Sequence, residues 1–168
     1  MRGFTLTELM ITVLIVAALA GISYPLIRSG IRSAHKAECL SNLRQLGTGL
    51  ELYLQDNNSI MPDLEAGRRD RAEDIPVLET VLSEYVESAE VFHCPADNEQ
   101  FAKSGSSYVW NSTQSGLRRN KLSFFGNTRP ERIPLIIDKE AWHPGDEGTH
   151  FLYADMTATN KVHFVVSE

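Results

Sequence analysis

With 168 residues, the chain has room for about one ordinary domain plus an appendage, which excludes a two-enzyme architecture. Its content of 42% hydrophobic and 23% charged residues is typical of a globular protein and excludes a disordered or collagen-like one. The net charge of −6 argues against a nucleic-acid partner, because phosphate binding depends on an excess of clustered Lys and Arg. The basic pairs Arg68-Arg69 and Arg118-Arg119 stand among acidic or polar residues, and we interpret them as solvated loops.

The N-terminal segment is uncharged from Leu9 to Ile27, between Glu8 and Arg28. At 1.5 Å per residue this stretch measures roughly 28 Å, close to the hydrocarbon thickness of a bilayer. It is longer than the usual apolar region of a secretory signal, and no clear small-x-small cleavage site follows it. The segment therefore predicts a membrane-spanning helix.

Helical periodicity continues beyond Arg28. Apolar residues spaced mainly by three and four predict an amphipathic helix with one apolar stripe, formed by Ile31, Ala34, Leu40, Leu43, Leu46, Leu50 and Leu54. Together the two segments predict one helix from about residue 4 to about residue 55, roughly 75 to 80 Å long. Gly21 and Pro25 predict a kink inside it, and the polar cluster 56–59 predicts its end.

The string Gly3-Phe4-Thr5-Leu6-Thr7-Glu8-Leu9 resembles the prepilin cleavage and methylation motif of type IV pilins and type II secretion pseudopilins. The resemblance implies that a dedicated prepilin peptidase cuts between Gly3 and Phe4 and methylates the new amine of Phe4. Glu8 then becomes the fifth residue of the mature chain, where the family carries its glutamate, and Pro25 falls on the family's helix-kinking proline. The family also implies that this glutamate attracts the N-terminal amine of a neighbouring subunit during fibre assembly.

Elementary electrostatics supports such a role for Glu8. A carboxylate at the edge of a bilayer-length apolar helix costs several kcal/mol unless it finds a partner. Cleavage after Gly3 would create a positive amine on Phe4 in the same low-dielectric region, where one buried charge needs another. Such a pair sets register more surely than it adds stability. The alternative is that Glu8 only extends towards the lipid headgroups.

The remaining chain predicts an α+β head. An apolar stripe predicts a second short helix against the first, through Ile75, Leu78, Val81, Leu82, Tyr85 and Val86. Four β-rich stretches predict a small antiparallel sheet, at residues 107–110, 133–137, 149–154 and 161–166, with 155–160 joining the last two as a hairpin. The predicted fold class is α+β, with a long N-terminal helix packed on a small C-terminal antiparallel sheet.

The resulting organisation has four parts. We expect a leader peptide at 1–3, a transmembrane and polymerisation half of the helix at 4–27, an amphipathic half at 28–56, and a globular head at 57–168. The resemblance covers roughly the first third of the chain, so the head is interpreted from its residues alone.

Two cysteines, Cys39 and Cys94, are too few for a disulfide-rich scaffold. A single bond between them would close some 55 residues and would suit a head outside the inner membrane. Buried free cysteines are the alternative. A Cys/His metal site is less favoured, because neither cysteine has a second one at ligand spacing.

A second resemblance concerns the strings 39–47 and Cys94-Pro95-Ala96-Asp97. They are similar to a branch of pilin-like proteins that often ends in His, a spacer and Asp-Gly. His143 and Asp155 are the corresponding residues here, but Met156 replaces the glycine and the spacing is longer. This resemblance assigns no chemistry.

Acidic residues near the C-terminus suggest a calcium site, which the major pseudopilins also have near this end of the chain. The candidate oxygen ligands are Asp138, Glu140, Asp146 and Glu147. Their spacing does not fit a defined calcium loop, so a solvated acidic turn is the alternative. The five histidines lack a persuasive set of partners for a catalytic or metal role, and His150 and His163 are expected to share the last hairpin.

The resemblance implies a structural fibre subunit that is not an enzyme, either of a type IV pilus-like filament or of a type II secretion pseudopilus. The alternatives are a low-copy tip subunit that acts as a binding or adhesion module and, less favoured, a membrane-anchored enzyme, for which no site is apparent. The expected partners are other copies of the chain, the prepilin peptidase and the inner-membrane assembly platform. The expected location is the inner membrane, with the head outside the cytoplasm, and later the pseudopilus or pilus.

Overall fold

The computed structural model describes residues 5–143 and 148–163. The chain divides into two compact units, Met1–Ala34 and His35–Glu168, and each is considered by itself. Helix α1 covers Leu6–Asp56 and so supplies residues to both. It is continuous through Gly21 and Pro25, and the kink that these residues predict stays a prediction.

The described part of the first unit is the N-terminal stretch of helix α1, up to Ala34. Each described side chain from Thr5 to Ala34 is exposed. Among the described residues, α1 is the helix that is long and apolar enough to cross a membrane, as judged by length and composition. The predicted stripe accordingly splits in two, because Ile31 is exposed whereas Leu43, Leu46 and Leu50 are fully buried.

The second unit combines the rest of α1 with short helices and one sheet. Helix α2 covers Leu78–Val81 and helix α3 covers Gln100–Ser104. The strands are β1 Tyr108–Trp110, β2 Pro134–Asp138, β3 Phe151–Tyr153 and β4 Ala158–Thr159. Single turns of 3-10 helix lie at Leu82–Tyr85, Ala89–Phe92, Ser112–Gln114, Arg119–Lys121 and Pro130–Arg132.

The four strands form one antiparallel sheet in the order β1-β2-β3-β4. Ile137 on the central strand β2 pairs with Val109 on one side and with Phe151 on the other. This sheet and the long helix confirm the predicted α+β class.

The second strand of the last hairpin lies closer to the N-terminus than the pattern predicts. The predicted strand 161–166 is therefore wrong in its described part. Strand β4 lies inside the predicted loop 155–160, and Lys161 to His163 are not in a strand; the residues after 163 lie outside the described ranges. The cause is a tight turn in which Asp155 accepts hydrogen bonds from the Thr157 amide at 2.9 Å and hydroxyl at 2.8 Å. Local side-chain bonds of this kind reverse the chain in few residues.

The core lies between the C-terminal half of α1 and the sheet. Buried leucines at three- and four-residue steps on α1 pack in one apolar cluster with sheet residues such as Trp110, Leu135 and Leu152. Gly47 allows close approach, because a Cβ there would lie 3.0 Å from the Leu152 side chain. The helix therefore approaches the sheet through a glycine as well as through its leucines.

The predicted second helical stripe is present, but only one turn of it is α-helical. Helix α2 continues as 3-10 helix through Tyr85, whose ring meets that of Tyr53 edge-on at 5.5 Å. A Cβ at Gly49 would lie 2.9 Å from Val86 and 3.0 Å from the Tyr85 carbonyl oxygen. The segment thus packs on the C-terminal half of α1, as its pattern predicts.

Candidate assembly and processing site

The start of α1 carries the residues that the motif singles out. Gly3 and Phe4 lie outside the described residues, and the description begins at Thr5. The Thr5 amide donates to Glu8 Oε2 at 2.9 Å, and the Thr5 hydroxyl donates to the same oxygen at 2.7 Å. The Glu8 amide in turn donates to the Thr5 hydroxyl oxygen at 3.3 Å. These reciprocal bonds form a capping box at the helix N-terminus.

Sequence reasoning missed this contact, although the signal was present. A threonine followed three residues later by glutamate, just before an apolar run, is the signature of a capping box. Thr5 and Glu8 satisfy it. Glu8 therefore has a local partner within a single chain, in addition to any partner that a neighbouring subunit offers.

The two cysteines are joined by a disulfide, with Cα atoms 4.9 Å apart. Cys39 lies on α1 and Cys94 follows the 3-10 turn Ala89–Phe92. Asn42, one turn along the helix, donates a 2.7 Å hydrogen bond to the carbonyl oxygen of His93. One covalent and one polar contact thus attach the same short segment to the helix.

Asp97, the last residue of the Cys94-Pro95-Ala96-Asp97 string, holds the start of α3. Its two carboxylate oxygens accept from the amides of Glu99, Gln100 and Phe101 at 2.7 to 2.8 Å. The Ser107 hydroxyl also donates to it, at 2.6 Å. Burial alone would raise the pKa of Asp97, but the hydrogen bonds from Ser107 and the three amides outweigh it and lower that pKa. The string thus supplies a disulfide and hydrogen bonds to the amides at the start of α3, which are structural functions.

The acidic residues proposed for calcium are only partly within the described chain. Asp138 is buried at the end of β2, whereas Glu140 is exposed and accepts a 2.7 Å hydrogen bond from the Gln100 amide group. Asp146 and Glu147 lie outside the described residues. The calcium site stays a prediction.

Asp138 instead lies beside two histidines that sequence reasoning left without partners. Nδ1 of His150 is 3.1 Å from Asp138 Oδ2, and Nε2 of His143 is 3.9 Å from the same oxygen. The two imidazole rings are 4.1 Å apart. All three side chains are buried, with residue exposures of 4% for Asp138, 3% for His143 and 0% for His150. We call these three residues the Asp-His-His cluster.

The surroundings of the Asp-His-His cluster shift its protonation. Burial, with smaller contributions from His150, Lys36 and His35, lowers the pKa of His143 to about 4. Burial also raises the pKa of Asp138, against the opposing effects of its hydrogen bonds and charge contact with His150. The spacing of these residues matches no known short motif, so nothing in the sequence pattern indicated that the fold would bring them together.

One arginine of each basic pair forms an ion pair, whereas Arg69 and Arg118 are exposed, as expected from the sequence. Arg68 forms a mostly buried ion pair with Glu79 at 2.9 Å and donates to the Ser104 carbonyl oxygen at 2.7 Å. Arg119 donates to both carboxylate oxygens of Glu51, at 2.7 and 2.9 Å. Arg68 thus connects two parts of the head, and Arg119 connects the head to helix α1.

Comparison with known proteins agrees with the geometry. Residues 1–24 match the family described as the prokaryotic N-terminal methylation motif. The type II secretion system core protein G of Escherichia coli is 29% identical over 96 residues, which cover 57% of this chain and 65% of that protein. Its namesake in Pectobacterium carotovorum is 33% identical over 66 residues, covering 39% of this chain and 42% of that protein.

The chain thus spans less than two thirds of the length of each of these relatives. No solved structure matches the chain significantly. The methylation motif and the two relatives support the resemblance of this chain to type IV pilins and type II secretion pseudopilins, and the long helix on a small antiparallel sheet agrees with it.

Proposed function

We propose that the chain is a structural subunit of a type II secretion pseudopilus or a type IV pilus-like filament. One observation carries the proposal: residues 6–34 are helical with every side chain exposed, and this helix begins within a prepilin motif. Large exposed apolar surfaces mark membrane or protein contacts, so this helix needs either lipid or other helices around it. Storage in the inner membrane followed by polymerisation supplies both environments in turn.

Processing comes first in this scheme. The prepilin peptidase cuts between Gly3 and Phe4 and methylates the Phe4 amine, as in the family to which the motif belongs. Such a subunit is held by a single membrane span, with the head outside the cytoplasm, until the assembly platform moves it into the fibre. The Cys39–Cys94 disulfide supports a head outside the cytoplasm, because disulfides persist in oxidising compartments. The names of both relatives favour the secretion pseudopilus over a surface pilus.

Assembly then depends on a change of partner for Glu8. Within one chain its carboxylate accepts from Thr5. In the fibre, the positive amine of Phe4 from a neighbouring subunit replaces part of this interaction, because a charged partner stabilises a carboxylate more than a neutral donor does at low dielectric. The pair fixes the axial register of the subunits.

Three variants separate the charge of Glu8 from its capping function. Glu8→Val removes both, Glu8→Gln keeps a capping side chain but removes the charge, and Thr5→Ala removes the cap but keeps the charge. We expect Glu8→Val and Glu8→Gln to insert in the membrane and be cleaved, yet to give few or disordered fibres. Thr5→Ala should still polymerise. Fibres would be counted by electron microscopy after overexpression, and cleavage followed by mass spectrometry.

Normal fibres from Glu8→Gln would show that its charge is not needed and would overturn this mechanism. The same images test the subunit's abundance, since a major subunit dominates purified fibres. If this chain were found only at fibre tips, it would be a low-copy tip pilin that acts as a binding or adhesion module.

A further inference from the structure

The Asp-His-His cluster leaves buried polar atoms without hydrogen bonds. Within the part of the chain that the structure describes, Asp138 Oδ1 and His150 Nε2 are buried without a hydrogen-bond partner. His150 Nδ1 is close to Asp138 Oδ2, at 3.1 Å, but not in good hydrogen-bond geometry. Buried polar groups are nearly always satisfied, and each exception calls for an explanation. Asp138 Oδ2 by contrast accepts from the His150 backbone amide at 2.8 Å, which fixes the orientation of the carboxylate.

The three side chains also have the separations of a metal site. One ligand atom from each of Asp138, His143 and His150 lies within 4.8 Å of the others. Ligand atoms about 2.0 to 2.1 Å from a tetrahedral zinc ion are roughly 3.4 Å apart. The measured distances from Asp138 Oδ2, 3.1 Å to His150 Nδ1 and 3.9 Å to His143 Nε2, lie on either side of that value.

We propose that the Asp-His-His cluster binds a divalent transition-metal ion of the zinc class, with Asp138, His143 and His150 as ligands. This site goes beyond the function in fibre assembly, because it lies in the head and uses no residue of the N-terminal motif. Two imidazoles and one carboxylate are common zinc donors, and a water molecule completes the tetrahedron. Calcium prefers six to eight oxygen ligands, so the paired imidazoles select against it.

The charges of the cluster fit a cation. Neutral imidazole is the form of histidine that binds metal. A buried carboxylate needs a counter-charge, and a divalent ion would supply one. The disulfide removes Cys39 and Cys94 as thiolate ligands, although Cys94 Sγ is only 3.5 Å from His143 Nε2. The oxidised head thus offers nitrogen and oxygen, not sulfur.

The test uses the full chain in detergent, without thiol reductants, after removal of metal by a chelator. Zinc binding would be titrated in competition with a chromophoric chelator, with calcium in parallel. We expect one equivalent of zinc per chain, bound at a site from which calcium does not displace it. Asp138→Asn, His143→Gln and His150→Gln should each weaken zinc binding by about 100-fold or more, because even the loss of outer partners costs roughly 10- to 100-fold. His163→Gln, which changes an exposed histidine, is the matched control.

A second measurement does not depend on whether the variants fold. X-ray absorption of zinc-loaded wild-type protein should show two imidazole ligands and oxygen ligands, without sulfur. Absence of stoichiometric zinc binding, a coordination shell without imidazole, or equal binding by wild type and the three folded variants would each overturn the proposal.

Discussion

Cys94 is bonded to Cys39 on helix α1 and lies next in sequence to His93, whose carbonyl oxygen accepts from Asn42 on the same helix. The disulfide spans a sequence separation of 55 residues, so on the chain-entropy model it stabilises the head by about 4 kcal/mol. We expect Cys94→Ala to lower the free energy of unfolding by roughly that amount. Urea unfolding of the full chain in detergent, followed by the fluorescence of buried Trp110, measures it.

The double variant Cys39→Ala/Cys94→Ala serves as the control for that experiment. Because both single changes remove the same bond, the double variant should lose little more than either one. Fully additive losses would mean that the cysteines contribute as independent buried side chains.

We expect Asp97 to make the stability of the folded protein sensitive to acid. Its folded pKa lies below the ordinary value of 3.8, so its stabilisation is present at neutral pH and is lost as the pH falls through the folded value. Asp97→Asn should reduce the free energy of unfolding at pH 7 by about 2 kcal/mol, since an amide cannot accept all four bonds. The difference in free energy of unfolding between wild type and Asp97→Asn should become smaller below about pH 4. Asp63→Asn, at an exposed position, is the control. A difference in free energy of unfolding between wild type and Asp97→Asn that does not change with pH would contradict the prediction.

Gly49 is a position where any side chain should be harmful. An alanine Cβ would lie 3.0 Å from the Tyr85 carbonyl oxygen, which is backbone and has little freedom to shift. Overpacking costs about 1 to 3 kcal/mol, which outweighs the gain of up to about 1 kcal/mol from better helix propensity. We therefore expect Gly49→Ala to lower the urea midpoint, whereas Thr48→Ala, on the exposed side of the helix, should leave it nearly unchanged.

The turn at Phe125 places a phenylalanine in a backbone conformation that suits it poorly. Phe125 and Gly126 have φ values of 46° and 78°, and Phe124 and Asn127 exchange two hydrogen bonds of 2.9 Å, so the turn is a two-residue hairpin of type I′. Asparagine tolerates this conformation far better than phenylalanine does. Phe125→Asn should be more stable than Phe125→Ala by about 1 kcal/mol, because both lose the ring and only alanine keeps the strain. Equal thermal midpoints would contradict this explanation.

Elements with a regular spacing of apolar residues can be predicted from the sequence. Features that depend on single side-chain contacts cannot. Leucines at three- and four-residue steps identify the packing face of α1, since periodicity follows directly from burial. Strand β4 is misplaced because Asp155 tightens its turn through side-chain bonds that no period reveals. The Asp-His-His cluster is missed because its spacing matches no short motif: the pairing of β2 with β3 brings Asp138 beside His150, and His143 lies in the connection between these strands.

The N-terminal motif was predicted only in part from the sequence. Glu8 is conspicuous in sequence as an acid at the start of an apolar helix, and its place in the motif suggests a partner in another subunit. Its bonds to Thr5 follow from an equally local pattern, yet they have a different meaning, because they stabilise the helix of a single chain.

Cys39 is the first buried residue along α1 within the described chain, ahead of Leu43, Leu46 and Leu50. A pulling force transmitted along α1 from its N-terminal end would therefore reach a covalent bond before it reached the leucine packing. Apolar contacts separate one after another under load, whereas a disulfide holds until it is reduced. In the proposed filament, the bond would therefore have a mechanical function as well as a thermodynamic one, because it would keep residues 94 onwards attached to the helix under tension.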